Sequence, residues 1–411
     1  MATPNVPAQA APKLTPQAQD AMATRAILAS AVDRIQLVAS EQVFPASNPT
    51  LIIQPINVGL VKRFVIVVEG TLTNSGTVDL QLTPGGLANL FSHGGVQYTD
   101  LNNYLRVNTS GLHLTALSQA KRRRSYGSTV QDNQTGVAQP DFRSKMFNVP
   151  PASWGTYRAP TTVTAGTAAP FRAVFELPLA YSDDDLRGAV WANVLNAVQQ
   201  ITLTFNQQSV AVTPNDFSFA VYYGNTAGAA GSITNATVTV YQEYLDQIPK
   251  VNGPQGATTI LPALSLSTVY ELKSTLFSSI TQNQEFYIPY ANQRSFISTF
   301  ALYNHNGQHD GAQLGEDVNY WALLAANASY IWKLDPLTVA QKSRDLLSTD
   351  LPFGMYYFSS RRKNLATLQY GNLQLTLNAK IATAQGFCNV MWEAFALQNT
   401  LQSGASLASG S

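Results

Sequence analysis

The chain has 411 residues, 45% hydrophobic and only 12% charged, with a net charge of +1. That length leaves room for two domains with full cores, and that balance excludes a global field able to attract nucleic acid. Charge stands near half the usual ~25%, which fits a surface made to meet other copies of itself or the uncharged polar surface of a secreted β-protein.

In chain order, residues 1–16 are rich in Ala and Pro and read as an extended arm. The opening MATPNVPAQAAPKL lacks the basic-then-apolar pattern of a secretory signal. No run nears the ~20 apolar residues needed to span a bilayer. A soluble chain made in a reducing compartment is expected. From Thr15 to Gln42 the spacing of Leu28, Val32, Ile35 and Ala39 predicts one amphipathic helix, with Thr15-Pro16 at its start and Pro45 and Pro49 beyond its end.

From residue 50 onward the pattern is short strands divided by Gly, Asn and Pro turns. Alternation is clear in 63–73, 171–177, 200–206 and 236–244. Residues 85–165 read as long connections and carry the basic run KRRR at 121–124 and PPASWGTYRAP at 150–160. The segment 248–262 has the Pro/Gly density of a linker, and a short helix is expected over Ser267 to Phe277. The expected division is an arm and helix (1–44), a first β-unit with inserted loops (45–249), a linker with a short helix (250–280), a second β-unit (281–398) and a flexible tail (399–411).

The two β-units repeat one pattern. ITLTFN at 201–206 returns as LQLTLN at 373–378. IIQP (52–55), ahead of Phe64, Ile66 and Val68, returns as FYIP (286–289), ahead of Phe296, Ile297 and Phe300. Tyr241 and Tyr244 close the first copy, Trp392 and Phe395 the second. The fold class is therefore all-β, a tandem pair of β-sandwiches behind an N-terminal amphipathic helix.

The chemistry-bearing motifs are thin. Cys388 is the one cysteine, so neither an internal disulfide nor a cysteine metal framework exists, and a buried small hydrophobe is expected there. Ser182 to Asp185 reads as a helix-capping box in preference to a cation site. His305 and His309, around Asn306-Gly307, read as a turn and not as metal ligands; His93 and His113 have no partner pattern. KRRR (121–124) and Arg361, Arg362, Lys363 read as solvated loops or as patches facing an acidic neighbour, with no specific nucleic-acid contact. Nucleophile elbow, zinc-protease motif and P-loop are all missing, and nothing picks out a carboxylate pair among the 24 acids. No enzyme activity, cofactor or metal is expected. A carbohydrate-binding tandem sandwich, with Trp154 and Tyr157 as its exposed aromatics, is the alternative.

Several collinear segments resemble one family, the double jelly-roll major capsid proteins of tectiviruses. They are PINVGLVKRFVIVV (55–68), LPLAYSDDDLRGAVWANV (177–194), TVYQEYLDQIP (239–249), ILPALSLSTVYEL (260–272), KLDPLTVAQKSRDLLSTDLPFGMYY (333–357) and LQYGNLQLTLN (368–378). The resemblance implies two eight-stranded jelly rolls per chain, and a homotrimer forming a pseudo-hexagonal capsomer of an icosahedral bacteriophage shell. It implies neighbouring capsomers, vertex proteins and minor capsid proteins as partners. It also implies an N-terminal helix near an internal viral membrane, with Lys13, Arg25 and Arg34 as candidate neighbours of lipid headgroups. The expected location is the virion shell, after synthesis in host cytoplasm.

Overall fold

The computed structural model describes residues 15–83, 85–122, 160, 162–194, 197–207, 209–211, 220–224, 226–253, 256–278, 280, 283, 285–290, 293–304, 318–325, 330–347, 354–360, 365–366, 372–380 and 387–397. Eight principal strands make up the first half: β1 (Val32–Val43), β2 (Thr50–Ile53), β3 (Leu60–Asn74), β4 (Phe91–Thr99), β5 (Leu105–Thr109), β6 (Ala168–Pro178), β7 (Gln200–Phe205) and β8 (Gly231–Asp246). They form two sheets, in the orders β1-β8-β3-β6 and β2-β7-β4-β5.

The second half supplies β9 (Thr268–Ser278), β10 (Glu285–Pro289), β11 (Arg294–Asn304), β12 (Val318–Leu324), β13 (Tyr330–Leu334), β14 (Met355–Ser359), β15 (Gln374–Ala379) and β16 (Phe387–Leu397). Their orders are β9-β16-β11-β14 and β10-β15-β12-β13. Each of these eight strands of the first half thus has a counterpart eight numbers later, in the corresponding place of the corresponding sheet. The repeated sequences account for this. ITLTF lies on β7, paired with β2, and LTLN lies on β15, paired with β10. This is the double jelly roll that the resemblance implied.

Alternation along the strands sets the layers. On β3, Phe64, Ile66 and Val68 point between the sheets, while Val65 and Val67 join Val174 on the outer face. Phe91 is the centre of the first core, its ring 4.9 Å from Phe175 and 5.0 Å from Phe205. Burying each such ring contributes about 2–3 kcal/mol. In the second core the buried Trp321 lies 5.1 Å from Tyr356 and 5.5 Å from Phe358, whose other face stacks on Trp332 at 5.2 Å.

Among the described residues four α-helices accompany the strands: α1 (Pro16–Ser30), α2 (Gly111–Arg122), α3 (Ala263–Ser267) and α4 (Pro336–Leu347). They obey the same duplication. Helices α1 and α3 each lead directly into the first strand of a roll, and α2 and α4 each fill the crossing between its fifth and sixth strands.

Three expectations change here. The helix predicted over 15–42 stops at Ser30, and Ala31 is already extended at φ −72°, ψ 152°. Residues 32–43 instead form β1, laddered on β8 from Val32↔Asp246 to Val43↔Ala236. The apolar spacing suited a helix, but Val32, Ile35, Val38 and Val43 are β-branched, and the open edge of β8 supplies a full ladder. The helix predicted over Ser267 to Phe277 ends at Ser267, and Thr268–Ser278 is β9, held between β16 and β5. Within the expected linker, Lys250–Gly253 and Gly256–Thr259 pair as a hairpin.

The third change concerns Ser182 to Asp185, which caps no helix. Ser182 and Asp185 exchange backbone hydrogen bonds at 3.3 and 3.4 Å in a turn. The acids serve separate cations: Asp183 lies 3.2 Å from Arg63, and Asp185 grips Arg187 at 2.5 Å.

Candidate assembly site: the joint between the rolls and the bare edges

The two rolls are joined by a strand pair. β5 ends the first roll's inner sheet, β9 opens the second roll's, and they pair in parallel with Leu272 opposite Val107 and Lys273 opposite Asn108. One nine-stranded sheet therefore passes through both rolls. The main core does the same, since Leu272, Phe300, Met391 and Phe395 belong to one buried cluster with Phe64, Phe91 and Tyr98.

Polar side chains fasten the seam. Lys273 donates to the Leu105 carbonyl, and Tyr104 donates to the buried Glu271 carboxylate. Arg294 closes this group, its Nε 2.5 Å from Glu271 and one Nη 2.9 Å from the Tyr104 hydroxyl. Burial, with the Glu271 bond, pushes the Tyr104 hydroxyl up to about 12. Arg106 is buried with Asp100, at 2.6 Å, and also donates to the Gly188 carbonyl at 2.7 Å.

A second group lies deeper. The Glu393 carboxylate is fully buried and accepts from Tyr270 at 2.5 Å and Ser298 at 2.6 Å. Lys121, from α2, brings its Nζ to 3.6 Å of it, donates to the Tyr181 carbonyl at 2.8 Å, and lies over the Tyr181 and Tyr270 rings. Lys121 is the first residue of the KRRR run, so that run begins facing the interior rather than as the expected solvated loop; 123 and 124 lie outside the described residues. His113 is buried beside this group, with Nδ1 2.7 Å from the Thr109 hydroxyl, and burial pulls its pKa down to about 4.

The cleft between α2 and β6 holds Lys62, Arg63, Lys121, Glu176 and Asp183. Its charges pair internally: Lys62 with Asp33 at 2.5 Å, and Arg63 with Glu243 and Asp183. Among the described residues no three His, Cys, Asp or Glu side chains stand close enough to hold a metal, and no helix is long and apolar enough to cross a membrane. Cys388 is buried on β16, and burial pushes its thiol up.

The candidate headgroup residues do not share one helix face. Arg25 is exposed on α1, near the exposed Met22 and Leu28. Arg34 is on β1 and pairs with Asp246 at 2.8 Å. Lys13, Trp154, Tyr157, His305, His309, Arg361, Arg362 and Lys363 lie outside the described residues. Helix α1 is seated by Ala23 and Ile27, the latter packed with Leu60, Leu186 and Leu245. Asp20 ties it to α3, accepting from the Leu264 N–H at 2.8 Å and the Ser265 hydroxyl at 2.6 Å.

Two of the edge strands, β1 and β13, are the counterparts of the strands that form the joint. β1 pairs only with β8 and β13 only with β12 among the described residues. β1 exposes Val32, Ile35 and Leu37, and β13 exposes Tyr330 and Ile331.

Among solved structures the chain is similar to the major capsid protein of Sulfolobus turreted icosahedral virus, at TM-score 0.59 and 11% identity, over 91% of this chain and 99% of that one. It is also similar to the PBCV-1 virus capsid chain, at TM-score 0.50 and 13% identity, over 89% of this chain and 94% of that one. Fold and joint together define the class: a double jelly-roll protein. At the sequence level it is 36% identical to major capsid protein P3 of Enterobacteria phage PRD1, over 91% of this chain and 90% of that protein. The profile "P3 major capsid protein N-terminal" matches residues 7–248, and "P3 major capsid protein C-terminal" matches 267–409. The chain belongs to the P3 major capsid protein family, and its place is the capsid shell of the virion.

Proposed function

We propose that the chain builds its shell as a homotrimer, three copies giving six rolls and hence a pseudo-hexagonal tile for an icosahedral, membrane-containing bacteriophage. The observation that carries this reading is the strand-for-strand duplication, β1–β8 matched by β9–β16, with the two rolls locked side by side. Six near-equal units let a threefold assembly offer near-equal edges to neighbouring capsomers. In this reading the assembly units are the two rolls, expected over 45–249 and 281–398, each extended by the strand ahead of it, β1 and β9.

The partners are other copies of the chain, adjoining capsomers, and the vertex and minor capsid proteins needed where a trimer does not fit. The base of the tile is the α1 end. Arg25, between exposed Met22 and Leu28, suits the surface of the internal viral membrane, with Lys13 and Arg34 on the same segment as its further candidates.

Light scattering on purified protein tests the assembly: the expected mass is three times the chain's 44.4 kDa. A well-folded single chain at micromolar concentration overturns the reading. For the membrane, flotation with anionic vesicles is expected to weaken in Arg25→Glu, and equal flotation of the two proteins removes that contact.

A further inference from the structure

The seam inside the chain has an unmade counterpart on its surface. β5 and β9 close the gap between the rolls, and the duplication provides each of them a second time, as β13 and β1. Both are edge strands, each pairing with a single neighbour among the described residues. An uncovered strand edge offers a row of unpaired backbone groups to any suitable neighbour.

The ladders fix how β1 maps onto β9. Val32 stands opposite Asp246, two positions beyond Tyr244; Thr268 stands opposite Leu397, two positions beyond Phe395. Tyr244 and Phe395 are the repeated aromatics. On that alignment Ile35 takes the place of Glu271, and Leu37 that of Lys273. Glu271 and Lys273 are the residues that fasten the internal seam, to Tyr104 and Leu105 at the head of β5. The head of β13 carries Tyr330 and Ile331 instead.

The exchange is one of chemistry. The internal seam joins charged and polar groups, while its counterpart presents Ile35 and Leu37 on one side and, on the other, Ile331 beside Tyr330, whose hydroxyl donates to Glu285 at 2.9 Å. Ile35 is 59% exposed and Leu37 53%, facing a strand where Tyr330 is 45% and Ile331 37% exposed. Isolated apolar residues on a surface mean little, but two matched sets on two bare strand edges do. A contact from β13 of one copy to β1 of the next is head-to-tail, and such contacts close into a ring when the rotation permits.

We propose that β1 of one copy lies parallel against β13 of a second copy, repeating between chains the β5–β9 seam, with Ile35 opposite Ile331 and Leu37 opposite Lys333. This deepens the trimer reading and rests on it. Three copies then make six like seams, three within chains and three between them, the latter centred on Ile35 and Ile331.

Cysteine pairs joined by a short bismaleimide test it, since that reagent tolerates a shift of one residue. The protein carrying Ile35→Cys and Ile331→Cys together is expected to give denaturing-gel bands at two and three times the chain mass. Each single variant is expected to stay at one. Leu37→Cys with Lys333→Cys serves as a second pair, and Ile52→Cys with Ile331→Cys is expected not to link. Light scattering is run on the same samples. Trimers in which neither pair links overturn the seam and leave the trimer standing, whereas single chains in solution overturn both.

Discussion

Glu393 on β16 and Lys121 on α2 meet 3.6 Å apart where the two rolls join, the carboxylate fully buried. One residue comes from each half of the chain. A buried charge is stabilising only while its partners stay in place. Lys121→Met is expected to destabilise the fold by about 3 kcal/mol, because it strands the Glu393 charge. Adding Glu393→Leu removes that charge and is expected to recover part of the loss. Denaturant unfolding of the four proteins measures this, and strictly additive effects would show that the pair is not coupled.

His113 makes stability depend on pH. Burial holds its folded pKa at about 4, with Glu393 opposing that shift and Lys121 reinforcing it, while the unfolded value lies near 6.5. Between those two values the unfolded chain binds the proton and the folded chain does not. The contribution is complete above about pH 6.5 and is lost as pH falls toward 4, by roughly 3 kcal/mol in all. Burial lowers His93 in the same direction. His113→Gln is expected to flatten the fall in unfolding midpoint between pH 7 and 4.5; an unchanged fall would assign it to the carboxylates.

Gly188 is placed where only glycine fits. Its φ is +87°, and a Cβ there would meet the Tyr270 Cβ at 2.4 Å and the Leu179 carbonyl oxygen at 2.5 Å. Gly188→Ala is expected to cost more than about 2 kcal/mol and to loosen Arg106 from the seam. Gly166 has a similar φ of +70° with open space around it, so Gly166→Ala is expected to cost only about 1 kcal/mol. Comparing the two unfolding midpoints separates crowding from backbone strain.

Asp20 caps the start of α3 from α1. Asp20→Ala is expected to cost about 1 kcal/mol locally, releasing α1 while both rolls stay folded. Limited trypsin digestion reads this as faster cleavage at Arg25 with no change in the global unfolding midpoint. Equal cleavage rates would mean that Ala23 and Ile27 seat the helix alone.

Much of this architecture is legible in the chain because the repeated strands carry their own alternation. ITLTFN and LQLTLN fall on β7 and β15, and the segments ahead of them on β2 and β10. The two misread helices are instructive because they occupy equivalent places. β1 and β9 both follow a real helix and both have apolar spacing compatible with one. What makes them strands is a partner far away in sequence, β8 for one and β16 for the other. Helix α2 was missed for the opposite reason. Leu114, Leu117 and Ala120 recur at helical spacing and are buried, but they adjoin KRRR in a stretch whose other signals suggested loops. The seam pairs Lys121 with Glu393, Tyr104 with Glu271 and Arg106 with Asp100. The first two join residues more than a hundred positions apart, which no local pattern encodes.

An unbroken sheet running from one roll into the other leaves the polypeptide without a hinge. Flexing between its halves would slide β9 along β5 and draw Glu393 away from Lys121 and Glu271 away from Tyr104. Each molecule therefore behaves as a stiff plate. Wherever the particle must turn a corner, the angle has to be taken up in the gaps between plates.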